Sequence, residues 1–513
     1  MALFLCLQAA AQSLVLLHTN DTHSNIDPDA SGVGGILQRK AIVDSVRKAE
    51  KNVLLIDAGD MVQGTLYFKF FGGDVEYPLF NMMDYDIRIL GNHEFDNGLD
   101  ELARHWKGVK ADRLSANYDF SDTPAAGLFR PYVIKKIEGR KVGFIGLNVD
   151  PTSLISEENY AGMKFKDVID TANATAAELK RKGCDLVVAV THIGYRVSNC
   201  KTDDLALARA SKDIDIIIGG HSHTFVDPKT PDKTPYWIKN AAGRDVLVAQ
   251  TGKYGRNVGY IKLDLSDFGN RNIDYEYLPV TDRFEPSAYS REMRDFLAPY
   301  RHVVDSVNSH VVAWSEVEME NGREVGPYAN WTGDFAARFG RQVADSLRRA
   351  GVQVAPVAFG MMNVGGIRQP MVRGAVTEGQ MLSTFPFSNR MRLIEIAGRD
   401  LLETMRIVAP KGGEAVSSEV RVVTDSAGRM ERMLLDGADI DPDSAYVVST
   451  IDYVANGNDD MTPMKRHREI WRDDREVSVR ILEYLYDMTR LGLPVQADSS
   501  PRFIKDVKYD MTE

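Results

Sequence analysis

Five short segments of this chain concentrate the side chains that bind metal ions or move protons. They read Asn20-Asp21-Thr22-His23, Asp57-Ala58-Gly59-Asp60, Gly91-Asn92-His93-Glu94, Thr191-His192 and Gly219-Gly220-His221-Ser222-His223. Imidazole and carboxylate suit divalent Zn, Mn or Fe, and the lack of cysteine in these segments argues against a soft-metal site. Seven candidate ligands among these segments are too many for one tetrahedral ion and suit a pair. A pair of ions needs a shared carboxylate, and Asp60 is the evident bridge. Asp57 is either a further ligand or, the preferred reading, an acceptor that orients a histidine. His18, His105, His302, His310 and His467 lack such a setting and read as ordinary packing or hydrogen-bonding residues.

The elements that would position these groups are legible. Each segment follows, within one to five residues, the end of an apolar run: residues 14–18, 53–56, 87–90, 186–190 and 214–218. Similar runs occupy 142–147, 246–249 and 258–265, and amphipathic helical patterns occupy 35–50, 99–107 and 168–182. The alternation predicts a layered α/β domain over residues 14–278. In an open α/β sheet the carboxyl ends of strands meet at one edge, so the five loops would deliver their Asp, His and Asn to one place. A charged helical pattern from 286 to 307, expected to kink or break at Pro299, reads as a linker within 279–310. Helical stretches at 331–350, 400–408 and 476–491, with strand-like ones at 391–396, 418–424 and 445–450, predict an α+β domain over 311–513.

The 513 residues are 44% hydrophobic and 26% charged, which excludes a disordered chain or a disulfide scaffold. The net charge of −11 disfavours a nucleic-acid partner, whose backbone asks for a basic surface. It leaves room for an anionic substrate wherever local cations override the global field. Residues 1–13 are a short apolar run ending in small residues, Ala9-Ala10-Ala11, and read as a secretory signal. The expected location is therefore periplasmic or otherwise exported. No other run reaches the roughly 20 apolar residues of a membrane span. Of the three cysteines, Cys184 reads as core, with pairing to Cys200 left open.

Taken together the blocks resemble those of the calcineurin-like metallophosphoesterases. The fuller strings HTNDTHSN, LLIDAGDMVQGT and LGNHEFDNG resemble the branch of bacterial 5′-nucleotidases and UDP-sugar hydrolases. The resemblance extends to the second half, through Asn363-Val-Gly-Gly-Ile-Arg368, Phe385-Pro-Phe387-Ser-Asn389 and Asp452-Tyr453-Val-Ala-Asn-Gly-Asn-Asp459. It implies a β-sheet sandwich flanked by helices, followed by an α+β substrate-binding domain. It also implies two divalent ions, Zn, Mn or similar, one held by Asp21, His23, Asp60 and His223 and the other by Asp60, Asn92, His192 and His221. His93 with Asp96 would be the catalytic dyad. Asn363 and Arg368 would contact substrate, Phe387 and Tyr453 would sandwich a base, and Asp459 would contact the nucleoside. Three positions depart from the family pattern: His223 where Gln is frequent, Tyr453 in place of Phe, and Asp460 in place of glycine.

The physical reading agrees with those roles. Two cations about 3.5–4 Å apart lower the pKa of a bound water and clamp phosphate oxygens, so that the hydroxide attacks phosphorus in line. Asp96, three residues beyond His93, can hold its ring; otherwise it is a plain acid at a helix start. Phe387 either stacks on a base or packs in a core. The expected function is an exported hydrolase of nucleoside 5′-monophosphates. The alternatives are a UDP-sugar or 2′,3′-cyclic nucleotide hydrolase and a nucleotide-binding protein without turnover. Because metals and base-stacking residues lie on different domains, substrate would bridge them, with the linker as hinge.

Overall fold

The computed structural model describes residues 13–29, 31–152, 154–197, 202–266, 272–283, 289–321 and 325–505. Residues 1–12 of the expected signal, and Cys200, lie outside these residues. The chain divides into two compact units, to Tyr300 and from Arg301.

In the first unit the apolar runs form two six-stranded sheets. The first sheet runs Ile273–Pro279, Asn257–Asp264, Ser13–Thr19, Val53–Asp57, Ile87–Ile89, Asp112–Leu114. The second runs Trp237–Lys239, Asp245–Ala249, Ile216–Ile218, Leu186–His192, Arg140–Asn148, Tyr132–Ile137. The central strands of each sheet are parallel, Val15 opposite Val53 and Ile56 opposite Ile87 in one, Ile145 opposite Ala189 and Ile217 opposite Val248 in the other. These strands are buried on both faces, which explains why they read as continuous apolar runs rather than alternating ones. Leu14, Leu16, Ile56 and Ile87 of the first sheet share one core with Phe144, Val188 and Ile217 of the second. Cys184 lies in that core.

The two stacked sheets are the β-sheet sandwich that the family resemblance implies, whereas the strand pattern by itself points only to one open sheet edge. Three of the five segments follow strands of the first sheet and two follow strands of the second. Parallel strands within each sheet place carboxyl ends on one side, and the shared core stacks the two sheets so that both sides contribute. Pro299 does not break its helix, which runs from Arg291 to Ser309 across it.

The second unit is α+β. Its main sheet runs Ala415–Val416, Val357–Met362, Ala445–Ile451, Arg390–Ala397, Arg468–Glu476. Helix Pro327–Arg349 packs on it so closely that a Cβ at Gly360 would lie 2.3 Å from the amide nitrogen of Ala337. Among the described residues no helix is long and apolar enough to cross a membrane.

The Gly360 contact is testable. Gly360→Ala is expected to destabilise the second unit by about 1–3 kcal/mol, as overpacking of a closed interface does, read from urea denaturation. An unchanged midpoint would mean that the helix and sheet can separate without cost.

Candidate active site

The loops after Ser13–Thr19 and Val53–Asp57 are laced together by main-chain hydrogen bonds. Ala58 N donates to Thr19 O at 2.9 Å, Asp21 N to Gly59 O at 2.9 Å, His23 N to Asp60 O at 3.0 Å and Ser24 N to Met61 O at 2.8 Å. This lacing holds a conformation that L-residues avoid. Asp21, His23, Asp60, His221 and His223 all have positive φ, between 45° and 77°. Each such residue costs about 1–3 kcal/mol, and strain of this kind clusters where geometry serves chemistry.

The side chains converge. Asp21, His23 and His223 form one group of facing ligand atoms, Asp60, His192 and His221 a second, and His23, Asp60 and His93 a third. Asp60 belongs to two of them. His192 Nε2 lies 3.1 Å from Asp60 Oδ2 and 4.0 Å from Asp21 Oδ1. His223 Nε2 lies 2.9 Å from His23 Nε2 and 3.5 Å from Asp21 Oδ1. Asn92 Oδ1 lies 2.9 Å from His221 Nδ1, so all seven candidate ligands meet in one place. His93 Nδ1 is 2.9 Å from Asp96 Oδ2, and its amide donates to Asp60 Oδ1 at 2.9 Å.

Electrostatics mark the centre. Burial pushes the Asp21 carboxyl up to about 7, and the charge of Asp60 adds to this while His192 opposes it. Burial also acts to raise Asp60, but His192, His93 and His23 together hold it well below the usual carboxylate range. Burial alone would lower His192; the carboxylates of Asp60 and Asp21 instead raise it to about 10. The cluster therefore draws in positive charge.

In the second unit the substrate candidates fall into two subsets. Tyr453 Oη donates to Asp459 Oδ1 at 3.1 Å, and the Asn363 side chain also hydrogen-bonds Asp459. The Arg368 guanidinium lies 5.8 Å over the Phe387 ring. Phe387 and Tyr453 are both half-buried, so neither ring is sealed in a core. Asp459 and Asp460 have φ of 55° and 66°, so the turn keeps a glycine-like shape although Asp460 stands where the family pattern has glycine.

Comparison with known proteins follows the same division. Residues 14–225 match the family of calcineurin-like phosphoesterases, and residues 319–466 match the 5′-nucleotidase C-terminal domain. The chain belongs to the calcineurin-like metallophosphoesterases, in the 5′-nucleotidase branch. It is a metal-dependent phosphoric ester hydrolase. A 5′-nucleotidase precursor from Thermus thermophilus has a solved structure with TM-score 0.81 and 29% identity, covering 97% of this chain and 100% of that one. A 5′-nucleotidase from Vibrio cholerae is 27% identical, over 88% of this chain and 86% of that protein. The trifunctional nucleotide phosphoesterase protein YfkN of Bacillus subtilis is 28% identical over 76% of this chain, which spans 27% of that protein's length.

The residues present fit the metal ions that a metallophosphoesterase uses. His192 Nδ1 lies 2.7 Å from the carbonyl of Ala58, an acceptor, so this nitrogen carries the proton. In the neutral ring Nε2 then presents a lone pair to Asp60 Oδ2, a buried repulsion that only a cation or a second proton relieves.

Several supporting groups had no visible role in the sequence. The acceptor that orients His192 is the Ala58 carbonyl and not Asp57. The Asp57 carboxylate instead accepts from Thr19 Oγ1 at 3.0 Å and lies 4.0 Å from Arg88 Nε, because the loop turns between residues 57 and 60. Glu94 accepts the amides of Asp60 at 3.1 Å and Met61 at 2.9 Å, and so fixes the loop that presents Asp60. Asn20 Nδ2 donates to Asp21 Oδ2 at 2.6 Å. His18 packs as expected, stacked on Tyr275 at 6.3 Å, with burial pushing its pKa down to about 3.

Gly91 offers a direct probe of Asp60. A Cβ there would lie 2.1 Å from Asp60 Oδ1 and 2.6 Å from its amide nitrogen. Gly91→Ala is expected to weaken Mn or Zn binding by about 10–100-fold, the size of effect that displaced supporting groups have on metal sites. Calorimetric titration of the metal-free protein measures it, and unchanged affinity would remove Asp60 from the ligand set.

Proposed function

We propose that this protein releases phosphate from nucleoside 5′-monophosphates, using two divalent ions held by Asp21, His23, Asp60 and His223 and by Asp60, Asn92, His192 and His221. The observation that carries this reading is the meeting of five loops in overlapping ligand groups that share Asp60, beside a hydrogen-bonded His93–Asp96 pair. When bound, such ions supply positive charge to phosphoryl oxygens and lower the pKa of water for attack on phosphorus. Asp96 accepts from His93 Nδ1 and keeps the ring in one orientation, beside the ligand cluster where a phosphoryl or leaving-group oxygen would sit. Phe387 and Tyr453 supply flat faces for a base, Arg368 a planar fork for an anion, and Asn363 and Asp459 polar contacts for the nucleoside. Export to a periplasm-like space is part of the same proposal and rests on the apolar leader sequence.

A second reading, turnover of 2′,3′-cyclic nucleotides or UDP-sugars by the same residues, is favoured by the similarity to a protein named a trifunctional nucleotide phosphoesterase. The two readings separate on phosphate release from AMP, UDP-glucose and 2′,3′-cyclic AMP. AMP is expected to be cleaved fastest; faster turnover of another substrate would move the specificity and leave the metal site intact.

Two variants test the assigned roles. His93→Ala is expected to lower kcat for AMP by about 10²–10⁴-fold, the usual worth of a proton-handling residue. Tyr453→Ala is expected to raise KM for AMP by losing about 1–3 kcal/mol of stacking while leaving turnover of p-nitrophenyl phosphate unchanged. Chelation should abolish both activities, and Mn or Zn should restore them. Activity that survives chelation would refute the metal mechanism.

A further inference from the structure

One acid beside the nucleoside residues has no part in the roles above. Strand Ala415–Val416 pairs antiparallel with the end of Val357–Met362, Met362 opposite Ala415. That register sets Glu414 against Asn363, the first residue beyond the longer strand. Glu414 Oε2 accepts the amide of Val364 at 2.6 Å, so the acid holds the start of the loop that carries Asn363. Asn363 in turn hydrogen-bonds Asp459, which accepts from Tyr453 Oη. Lys411, three residues before Glu414, closes the circuit by donating to Asp459 O at 3.1 Å and to Asp460 Oδ2 at 2.6 Å.

We propose that Glu414 is a positioning residue of the nucleoside site, holding the loop that carries Asn363 through its bond to the Val364 amide. The proposal rests on reading Asn363, Tyr453 and Asp459 as nucleoside contacts. Among the described residues the charged groups acting on Glu414 are the Lys411 ammonium and the Asp459 carboxylate. Two acids in one poorly solvated site do not both ionise readily, and the better-solvated one ionises first. Asp459 receives donors from Tyr453 and Asn363 and lies near the Lys411 ammonium. Glu414 has the single Val364 amide. Burial pushes Glu414 up to about 8, the charge of Asp459 raises it further, and the Val364 bond and Lys411 oppose. Burial raises Asp459 too, but its donors and the Lys411 ammonium oppose that rise, so Asp459 ionises ahead of Glu414, and Glu414 orders the Asn363 loop. Ionised Glu414 would set a second negative charge where an anionic nucleotide has to bind.

The test is the pH dependence of KM for AMP, with p-nitrophenyl phosphate turnover as the reference for the metal site. In the unaltered protein KM is expected to be flat near neutrality and to rise above about pH 8, approaching tenfold per pH unit if only the neutral form binds. The reference kcat should not follow that rise. Glu414→Gln, which keeps an acceptor for Val364 and cannot ionise, should keep the neutral KM and flatten the profile. Glu414→Ala should raise KM at every pH. Identical profiles in the unaltered protein and Glu414→Gln would overturn the proposal, as would a flat profile in the unaltered protein, which needs no variant to fold. AMP that fails to compete with p-nitrophenyl phosphate would overturn the nucleoside site itself, and this inference with it.

Discussion

Two carboxylates buried within reach of the same imidazoles are the constraint on which the first unit is built. Asp21 and Asp60 are fully enclosed, and neither can be charged there without nearby positive charge. The loops bring that charge within reach through His23, His93 and His192. The architecture follows from the need to hold these groups rigid. Five of the seven candidate ligands sit at positive φ, and a flexible loop would relax that strain. It persists because the loops leave strands buried in the common core, those of Asp21 and Asp60 are tied by main-chain hydrogen bonds, and the His221 amide donates to the Asp21 carboxylate. The free energy of the apolar sandwich is thus partly spent on holding a polar centre in an unfavourable shape.

The second unit meets a related problem by other means. Glu414 and Asp459 are also acids in a poorly solvated place, but no imidazole joins them. Their compensation is hydrogen bonds from Tyr453, Asn363 and the Val364 amide, and the Lys411 ammonium. A cluster rich in imidazole and carboxylate recruits cations. A cluster with carboxyls and neutral donors stays available to hydroxyls and amides. The same desolvation penalty therefore supports two chemistries, chosen by the residue types that surround the acids.

How much of this was legible in the sequence depends on the kind of interaction. The apolar runs before each ligand segment were visible because doubly buried strands need unbroken apolar sequence, and the strand at Leu186–His192 ends on the ligand itself. The co-location of Asp21, His23, Asp60, Asn92, His192, His221 and His223 was visible for the same reason. That the loops come from two sheets was legible only through the family resemblance and not in the strand pattern, since strand pairing is non-local. The Ala58 carbonyl that fixes His192 has no side-chain signature, and Asp57 looked better suited to that task than the geometry allows. The strand Arg468–Glu476 was missed because it is an edge strand, where charge replaces apolar alternation. Its Arg468 pairs with Glu395 at 3.0 Å across the ladder, and Glu469 pairs with Arg392. Pro299 was read as a kink or a break because its ring removes one donor, and of the two the break does not occur, since the helix continues through it.

Asp460 shows how a residue can look wrong locally and still fit. At φ 66° a glycine would avoid the strain that an aspartate incurs, about 1–3 kcal/mol. Glycine, however, has no carboxylate for Lys411. The Asp460 side chain anchors that ammonium at 2.6 Å, and the anchored ammonium then reaches the Asp459 carbonyl. Asp459 is itself at φ 55°, so the turn carries two strained residues in succession, and the tether to Lys411 opposes their relaxation. The exposed ion pair alone contributes little. Its effect is geometric, since it fixes the turn that presents Asp459 to Tyr453 and Asn363. The departure from glycine exchanges intrinsic backbone ease for an external tie.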